Sequence, residues 1–174
     1  GYYLAKFLSK KEAMLDPITS TNAQHYYPIL RKAEVFLNFA EAANEAWGPK
    51  VKGTYQDAEG NIVTCKYSAY DVIKTIRKAS GGITDTRYLD EMADDKESFR
   101  ELIQNERRLE LAFEGQRWFD LVRLDKVEEV MNAVHAKDSG RKAQVYTYDK
   151  NSYRLPIPQS VIDANDKIHQ NPGY

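Results

Sequence analysis

The chain's 174 residues, 42% of them apolar and 11% aromatic, suffice for one hydrophobic core of single-domain size. Its 25 basic and 26 acidic residues leave a formal net charge of −1, which excludes the basic footprint of a nucleic-acid-binding protein. No run approaches the roughly 18 apolar residues of a membrane span, and the opening GYYLAKFLSK lacks the charged start, apolar core and cleavage site of a signal peptide.

Residues 1–8 carry aromatic and aliphatic side chains without helical spacing and read as extended. Residues 10–24, with Asp16-Pro17 and Ser20-Thr21-Asn22, read as a loop. A helix is predicted from Pro28, whose missing N–H is no loss in a first turn, to about Trp47, where Gly48-Pro49 stops it. On that helix Leu30, Ala33, Leu37, Ala40 and Asn44 share one side with Glu34 and Glu41, and Val35, Phe36, Phe39, Ala43 and Ala46 form a second apolar side. Residues 49–68 contain the turn signal Glu59-Gly60-Asn61, which predicts a small hairpin with Ile62-Val63-Thr64 as one strand. Cys65, the single cysteine, excludes an internal disulfide and a cysteine metal cluster. A second helix over 70–79 turns Val72, Ile73 and Ile76 inward and closes at Ser80-Gly81-Gly82. Helix, loop and antiparallel helix make an αα-hairpin, the unit of tetratricopeptide-type packing, although the strict tetratricopeptide consensus is not visible.

Residues 84–96 are acidic and polar, a connection or a short helix, and the next helix starts near Asp95. Its centre, NERRLELAFEGQRWFDLVRL (105–124), reads as one long helix. At about 100° per residue, Phe99, Leu102, Ile103, Leu109, Phe113, Leu121 and Leu124 fall on one face, and Glu106, Glu110 and Arg117 project from the same stripe. Leu111, Trp118 and Val122 point the opposite way. A helix with two apolar sides is embedded, and charges in such a seam persist only when paired and hydrogen-bonded. Residues 126–134 continue as helix or begin another, and 136–153 read as loop with short strands around 145–148. Leu155-Pro156-Ile157-Pro158 is extended, because proline disfavours helix before it. A helical turn at 159–164 and a turn at Asn171-Pro172-Gly173-Tyr174 complete the chain.

Three of these segments also carry a resemblance. NERRLELAFEGQRWFDLVR resembles the most recognisable helix of the SusD/RagB proteins, surface glycan-binding lipoproteins of Bacteroidetes. PILRKAEVFLNFAEAANEAWG (28–48) resembles that family's "R-x-A-E-x-x-L-x-x-A-E-A" helix, and RLPIPQSVIDANDKIHQNPGY (154–174) is similar to its C-terminal ending, in the same order. The resemblance implies a mainly α fold of tetratricopeptide-like helix pairs with long loops and minor β structure. Residues 1–174 would be the C-terminal region of a larger SusD-like domain, opening at the family's "G-Y-Y-x-x-K" segment. The signal peptide and lipid-bearing cysteine would then lie upstream, since Cys65 is mid-chain.

Glu106 and Glu110 stand i and i+4 on one helix face, as a pair of carboxylates for glycoside hydrolysis would. The bland alternative is an interhelical ion network in which Arg31, Arg107, Arg108 and Arg117 neutralise Glu34, Glu41, Glu106 and Glu110. That much guanidinium would lower both carboxyl pKa values, against an acid/base role, so the network is the expectation. The three histidines, His25, His135 and His169, are scattered, and the paired glutamates lack the histidine of a di-iron bundle. No Gly-x-Ser-x-Gly occurs and no Gly-Lys-Ser/Thr follows Gly81-Gly82, so no catalytic residue, metal or cofactor is predicted.

Sugars stack their apolar faces on Trp or Tyr with polar neighbours for the hydroxyls. Tyr55 and Tyr67, in a polar loop, are the candidate platforms; Trp47, at a helix end, is either platform or core, and Trp118 reads as core. None of the family-like motifs carries a known glycan contact, so no binding residue transfers. By resemblance, the expected role is capture of oligosaccharides or polysaccharides at the outer-membrane surface for a SusC-like, TonB-dependent transporter. A peptide-binding member of the family and a carboxylate-dependent glycoside hydrolase are the alternatives.

Overall fold

A computed structural model describes Lys6, residues 28–133, Tyr148, Asn151 and residues 154–174. The chain divides into two compact units, one of residues Leu4–Glu114 and one of Gly115–Tyr174 with Gly1–Tyr3. The predicted extended segment 1–8 and the predicted loops 10–24 and 136–153 fall, apart from Lys6, Tyr148 and Asn151, outside the described residues.

The larger unit runs α1 (Lys32–Trp47), β1 (Thr54–Gln56), β2 (Ile62–Thr64), α2 (Ala69–Gly81), α3 (Arg87–Met92) and α4 (Lys96–Glu110). Helix α1 packs on both α2 and α4. Leu37, Ala40 and Ala43 of α1, Val72, Ile73 and Ile76 of α2, Leu89 and Ala93 at α3, and Phe99, Leu102 and Ile103 of α4 form one buried core. Alanines at Ala40 and Ala43 let the neighbouring helices approach α1 closely. Each of the larger aliphatic or aromatic side chains stabilises the unit by about 1.5–3 kcal/mol on burial. Asn44, also fully buried, donates from Nδ2 to the Lys96 carbonyl at 3.0 Å and so ties α1 to the first turn of α4.

The helix ends follow their local chemistry. Ser68 Oγ accepts from the Asp71 N–H at 3.1 Å while Asp71 Oδ2 accepts from the Ser68 N–H at 3.0 Å, a reciprocal capping box opening α2. Asp95 caps α4 by accepting from the Ser98 N–H at 2.8 Å. Between α1 and α2 the predicted hairpin forms, with Tyr55 opposite Val63 in the antiparallel register. Gly60, at φ +88°, supplies the turn conformation that residues with a Cβ avoid.

Two expectations are corrected. Helix α1 begins at Lys32 and not at Pro28, because Ile29 and Leu30 are 89% and 68% exposed and no packing offsets the ordering of a further turn. The predicted single helix over 105–124 is broken: α4 ends at Glu110, a turn spans 111–115, and α5 starts at Gln116. Phe113 and Gly115 both adopt left-handed backbone, at φ +64° and +79°. Lys6 holds the end of α4, with Nζ donating to the carbonyls of Glu110 at 2.7 Å and Ala112 at 3.1 Å. A basic side chain on the carbonyls that a helix end leaves open is the expected complement of that end.

The smaller unit contains α5 (Gln116–Arg123), α6 (Val127–Ala133) and α7 (Gln159–Ala164). Leu121 of α5 and Val127 of α6 are buried, and buried Asp120 accepts from Arg123 Nε at 2.9 Å. Trp118 is not core as expected: it is 37% exposed, with its ring 6.2 Å from that of Tyr148. Residues 155–158 are non-helical, as predicted before prolines. Gln170 takes the place of a strand partner for Ile157, accepting from its N–H at 2.8 Å and donating to its carbonyl at 2.9 Å. Among the described residues no helix is long and apolar enough to cross a membrane.

Candidate functional site

Of the second apolar side of α1, Ala43 is buried in the core, but the rest is not embedded as the two-sided pattern predicted. Val35 is 53% exposed, Phe36 and Phe39 are half-buried, and Ala46 is exposed. Val35, Phe36 and Phe39 instead form one wall of an open groove of about 260 Å³, whose other wall is Tyr55, Cys65 and Tyr67 of the hairpin and the strand exit. An adjoining hollow of about 200 Å³ shares Phe36 and Tyr67 and is completed by Lys32, Val72 and Thr75. The structure thus brings the two predicted tyrosine platforms together and adds Phe36 and Phe39 to them. Tyr55 and Tyr67 are 52% and 40% exposed, so their rings are reachable. Lys32 Nζ lies 5.3 Å from the centre of the Phe36 ring, and Lys66 Nζ 5.3 Å from that of Tyr67.

Trp47 resolves to core. It packs against the buried cluster of the larger unit, and a Cβ placed on Gly53 would overlap its ring. Sequence spacing does not reveal this, since only the return of the chain at Gly53 covers the ring.

The charged residues form a cluster that contains the expected Arg31–Glu110 pair but otherwise draws partners from outside the expected set. Arg31 donates from Nε and Nη2 to the two carboxyl oxygens of Glu114, each at 2.8 Å, and from Nη1 to Glu110 Oε1 at 3.0 Å. Lys6 also pairs with Glu114. Burial pushes the Glu114 carboxyl up, yet hydrogen bonds from Arg31 and Lys6 outweigh it and hold the group below the usual carboxylate range. Glu106 takes its counter-ion from Arg77 of α2, at 3.2 Å. Its burial exceeds the pull of Arg77, and with the neighbouring Glu110 charge raises its pKa. The expectation that nearby arginine lowers both carboxyls of the i, i+4 pair is therefore corrected for Glu106.

Of the other residues expected in the network, Arg107 is buried and donates from Nη1 to Asn38 Oδ1 at 2.6 Å, and Glu41 is half-buried on α1. Arg108 is exposed and bonds Asn105 of its own helix, at 2.8 Å and 3.2 Å. Glu34 has no ion-pair partner among the described residues; in the first turn of α1 its charge instead faces the positive helix end. Arg117 lies half-buried on α5 of the smaller unit. Glu114, Arg77 and Lys6 are not among the residues that the sequence pattern points to. Glu114 sits in the turn that the helical reading concealed, and the other two are distant in sequence, so no local spacing signals them.

Arg77, Glu106 and Glu110 line a second groove of about 260 Å³ with Ile76, Ile83 and Leu109. Among the described residues no group of histidine, cysteine and carboxylate side chains is placed to hold a metal ion.

Comparison with known proteins agrees with this architecture. A profile described as the SusD family matches residues 1–174. The chain is 32% identical over 153 residues to SusD-like protein P38 of Formosa agariphila, covering 84% of this chain and 24% of that protein. It is 31% identical over 157 residues to SusD-like protein P2 of the same organism, covering 90% and 26% respectively. The crystal structure of a SusD-like protein from Bacteroides fragilis superposes with a TM-score of 0.60 at 30% identity, over 86% of this chain and 26% of that one. The chain thus spans about a quarter of the length of the relatives it matches. With a family profile matched from end to end and a mainly helical fold shared with a solved member, the chain belongs to the SusD family.

Proposed function

We propose that residues 1–174 are the C-terminal region of a SusD-like lipoprotein that captures oligosaccharides at the outer-membrane surface and delivers them to a SusC-like, TonB-dependent transporter. The observation that carries this reading is the family match over the whole chain. The open aromatic groove around Tyr55 and Tyr67 supports it, since exposed rings beside polar groups suit the apolar and hydroxylated faces of a sugar. The lipid anchor and much of the ligand contact would lie in the part of the protein outside this chain. Helices α1, α2 and α4 serve as rigid scaffold, and the hairpin and loops carry ligand choice.

Within the family a peptide is the alternative ligand, and the apolar wall of the groove would also receive peptide side chains. A hydrolase reading has one specific observation in its favour, the raised pKa of Glu106 beside Glu110 on a second groove.

Affinity electrophoresis of the full-length protein against a polysaccharide panel, with this chain alongside, tests the reading. Retardation of the full-length protein by a glycan, without release of reducing sugar, is the expected result. Reducing-sugar release abolished by Glu106→Gln would replace capture with catalysis, and binding of peptides with no retardation by any glycan would replace the sugar.

A further inference from the structure

We infer that the groove between α1 and the hairpin takes an anionic glycan, one bearing uronate carboxylates or sulfate esters, through Lys32 and Lys66. The inference rests on the capture role proposed above and adds a substrate class to it. Overall the chain is nearly neutral, with 26 acidic and 25 basic residues, yet the charges lining the groove and its adjoining hollow are of one sign. Lys32 and Lys66 line them, and among the described residues no carboxylate does.

Neither lysine forms an ion pair among the described residues. Each ammonium is instead placed over an aromatic ring, at 5.3 Å from Phe36 and 5.3 Å from Tyr67. Three other lysines of the same unit are held by carboxylates instead, Lys50 by Asp94 at 3.0 Å, Lys52 by Asp71 at 3.9 Å and Lys96 by Glu45 at 3.6 Å, while Lys74, outside the groove, lies over the Tyr70 ring at 5.8 Å. An ammonium over a ring face holds a weaker partner than a carboxylate and is free to exchange it for one. Lys32 also opens α1, adding its charge to the positive end of that helix.

The geometry suits a sugar that is apolar on one face and anionic at its edge. Phe36 and Tyr67 are shared by the groove and the hollow, so a chain lying along both would cross the same two rings. Its pyranose faces would rest against these rings, and its carboxylates or sulfates would reach the ammoniums of Lys32 and Lys66. Thr75 in the hollow and Tyr55 in the groove add hydroxyl partners.

The test is affinity electrophoresis of the full-length protein in gels containing polygalacturonate, alginate or dextran sulfate, and in matched gels of dextran, xylan and mannan. Lys32→Gln and Lys66→Gln are the test variants, and Lys50→Gln, outside the groove, is the charge control. Retention by an anionic polymer is expected, weakened about two- to fivefold by each test substitution, the size of one exposed ion pair, and unchanged in the control. Anionic retention that the test variants leave intact, or that Lys50→Gln weakens equally, overturns the groove assignment. Retention by neutral polymers alone overturns it while leaving the capture role standing, whereas no retention by any polymer removes both. Displacement by poly-glutamate as readily as by an oligogalacturonate would put a peptide in the groove and also overturn the inference.

Discussion

Arg31 and Glu114 meet as two planar forks, with Nε on Oε2 and Nη2 on Oε1, both at 2.8 Å. The residues are 83 positions apart in sequence, and the pair joins the start of α1 to the turn that ends α4. Its arginine side chain is 27% exposed and its glutamate 6%, so the carboxylate depends on its partners. Side-by-side hydrogen bonds of this kind fix orientation as well as charge, and lysine at position 31 could not reproduce them.

Replacing Arg31 by alanine is expected to destabilise the protein by about 2–4 kcal/mol, between the worth of charged hydrogen bonds and the breaking of a fully buried pair. The readout is a lower urea midpoint at unchanged slope, and an equal midpoint would show that Lys6 alone satisfies Glu114. The pH dependence has a definite sign. Because the folded carboxyl of Glu114 is held below its ordinary value, its contribution is present above the unfolded pKa of about 4.3 and is lost as pH falls through the folded value. The stability gap between wild type and Glu114→Gln should therefore shrink on acidification below about pH 4.

Glu106 has the opposite sign. Its folded pKa is raised, so the fold binds its proton more tightly than the unfolded chain does. Its contribution diminishes as pH rises from the unfolded value of about 4.3 through the folded one. Wild type should lose ground to Glu106→Gln over that interval, measured as melting temperature against pH; a gap widening in favour of wild type would contradict the burial argument. Arg77→Ala should move the titration further up, because it removes the opposing charge at 3.2 Å.

Two glycines are expected to fail for different reasons. Alanine at Gly53 meets the Trp47 ring, so Gly53→Ala should cost about 1–3 kcal/mol as overpacking and shift Trp47 fluorescence. At Gly115 a Cβ would find open space, but φ is +79°, so Gly115→Ala should cost about 1 kcal/mol through the backbone alone, with no fluorescence change. A neutral Gly115→Ala would show that the left-handed turn after α4 is easily rearranged.

Much of the fold is legible locally because local physics decides it. The helix start near Asp95, the Gly48-Pro49 stop, the Glu59-Gly60-Asn61 turn and the Val72-Ile73-Ile76 stripe act within a few residues of themselves. The family resemblance rests on the same kind of signal, runs of residues at helical spacing in a particular order. Where the pattern is continuous but the chain is not, it misleads. Apolar spacing persists across 105–124 although Phe113 and Gly115 reverse the backbone there, because periodicity records which side chains are apolar and not the sign of φ.

Local pattern is therefore enough for α1, α2, the start of α4, the hairpin, the core side of α1 and the presence of glutamates that need partners, but not for the break between α4 and α5. Which partners those glutamates have follows from the packed fold: Arg31 and Lys6 for Glu114, and Arg77 for Glu106, each drawn from a distant segment. In the same way Val35, Phe36 and Phe39 on the second apolar side of α1 stay open and meet Tyr55 and Tyr67 across a groove, while Trp47 is covered by Gly53. The physical reason is the range of the forces. Propensity, capping and periodicity act along the chain within one or two turns, whereas ion pairing, desolvation and the covering of a surface depend on which distant segments fold back against it.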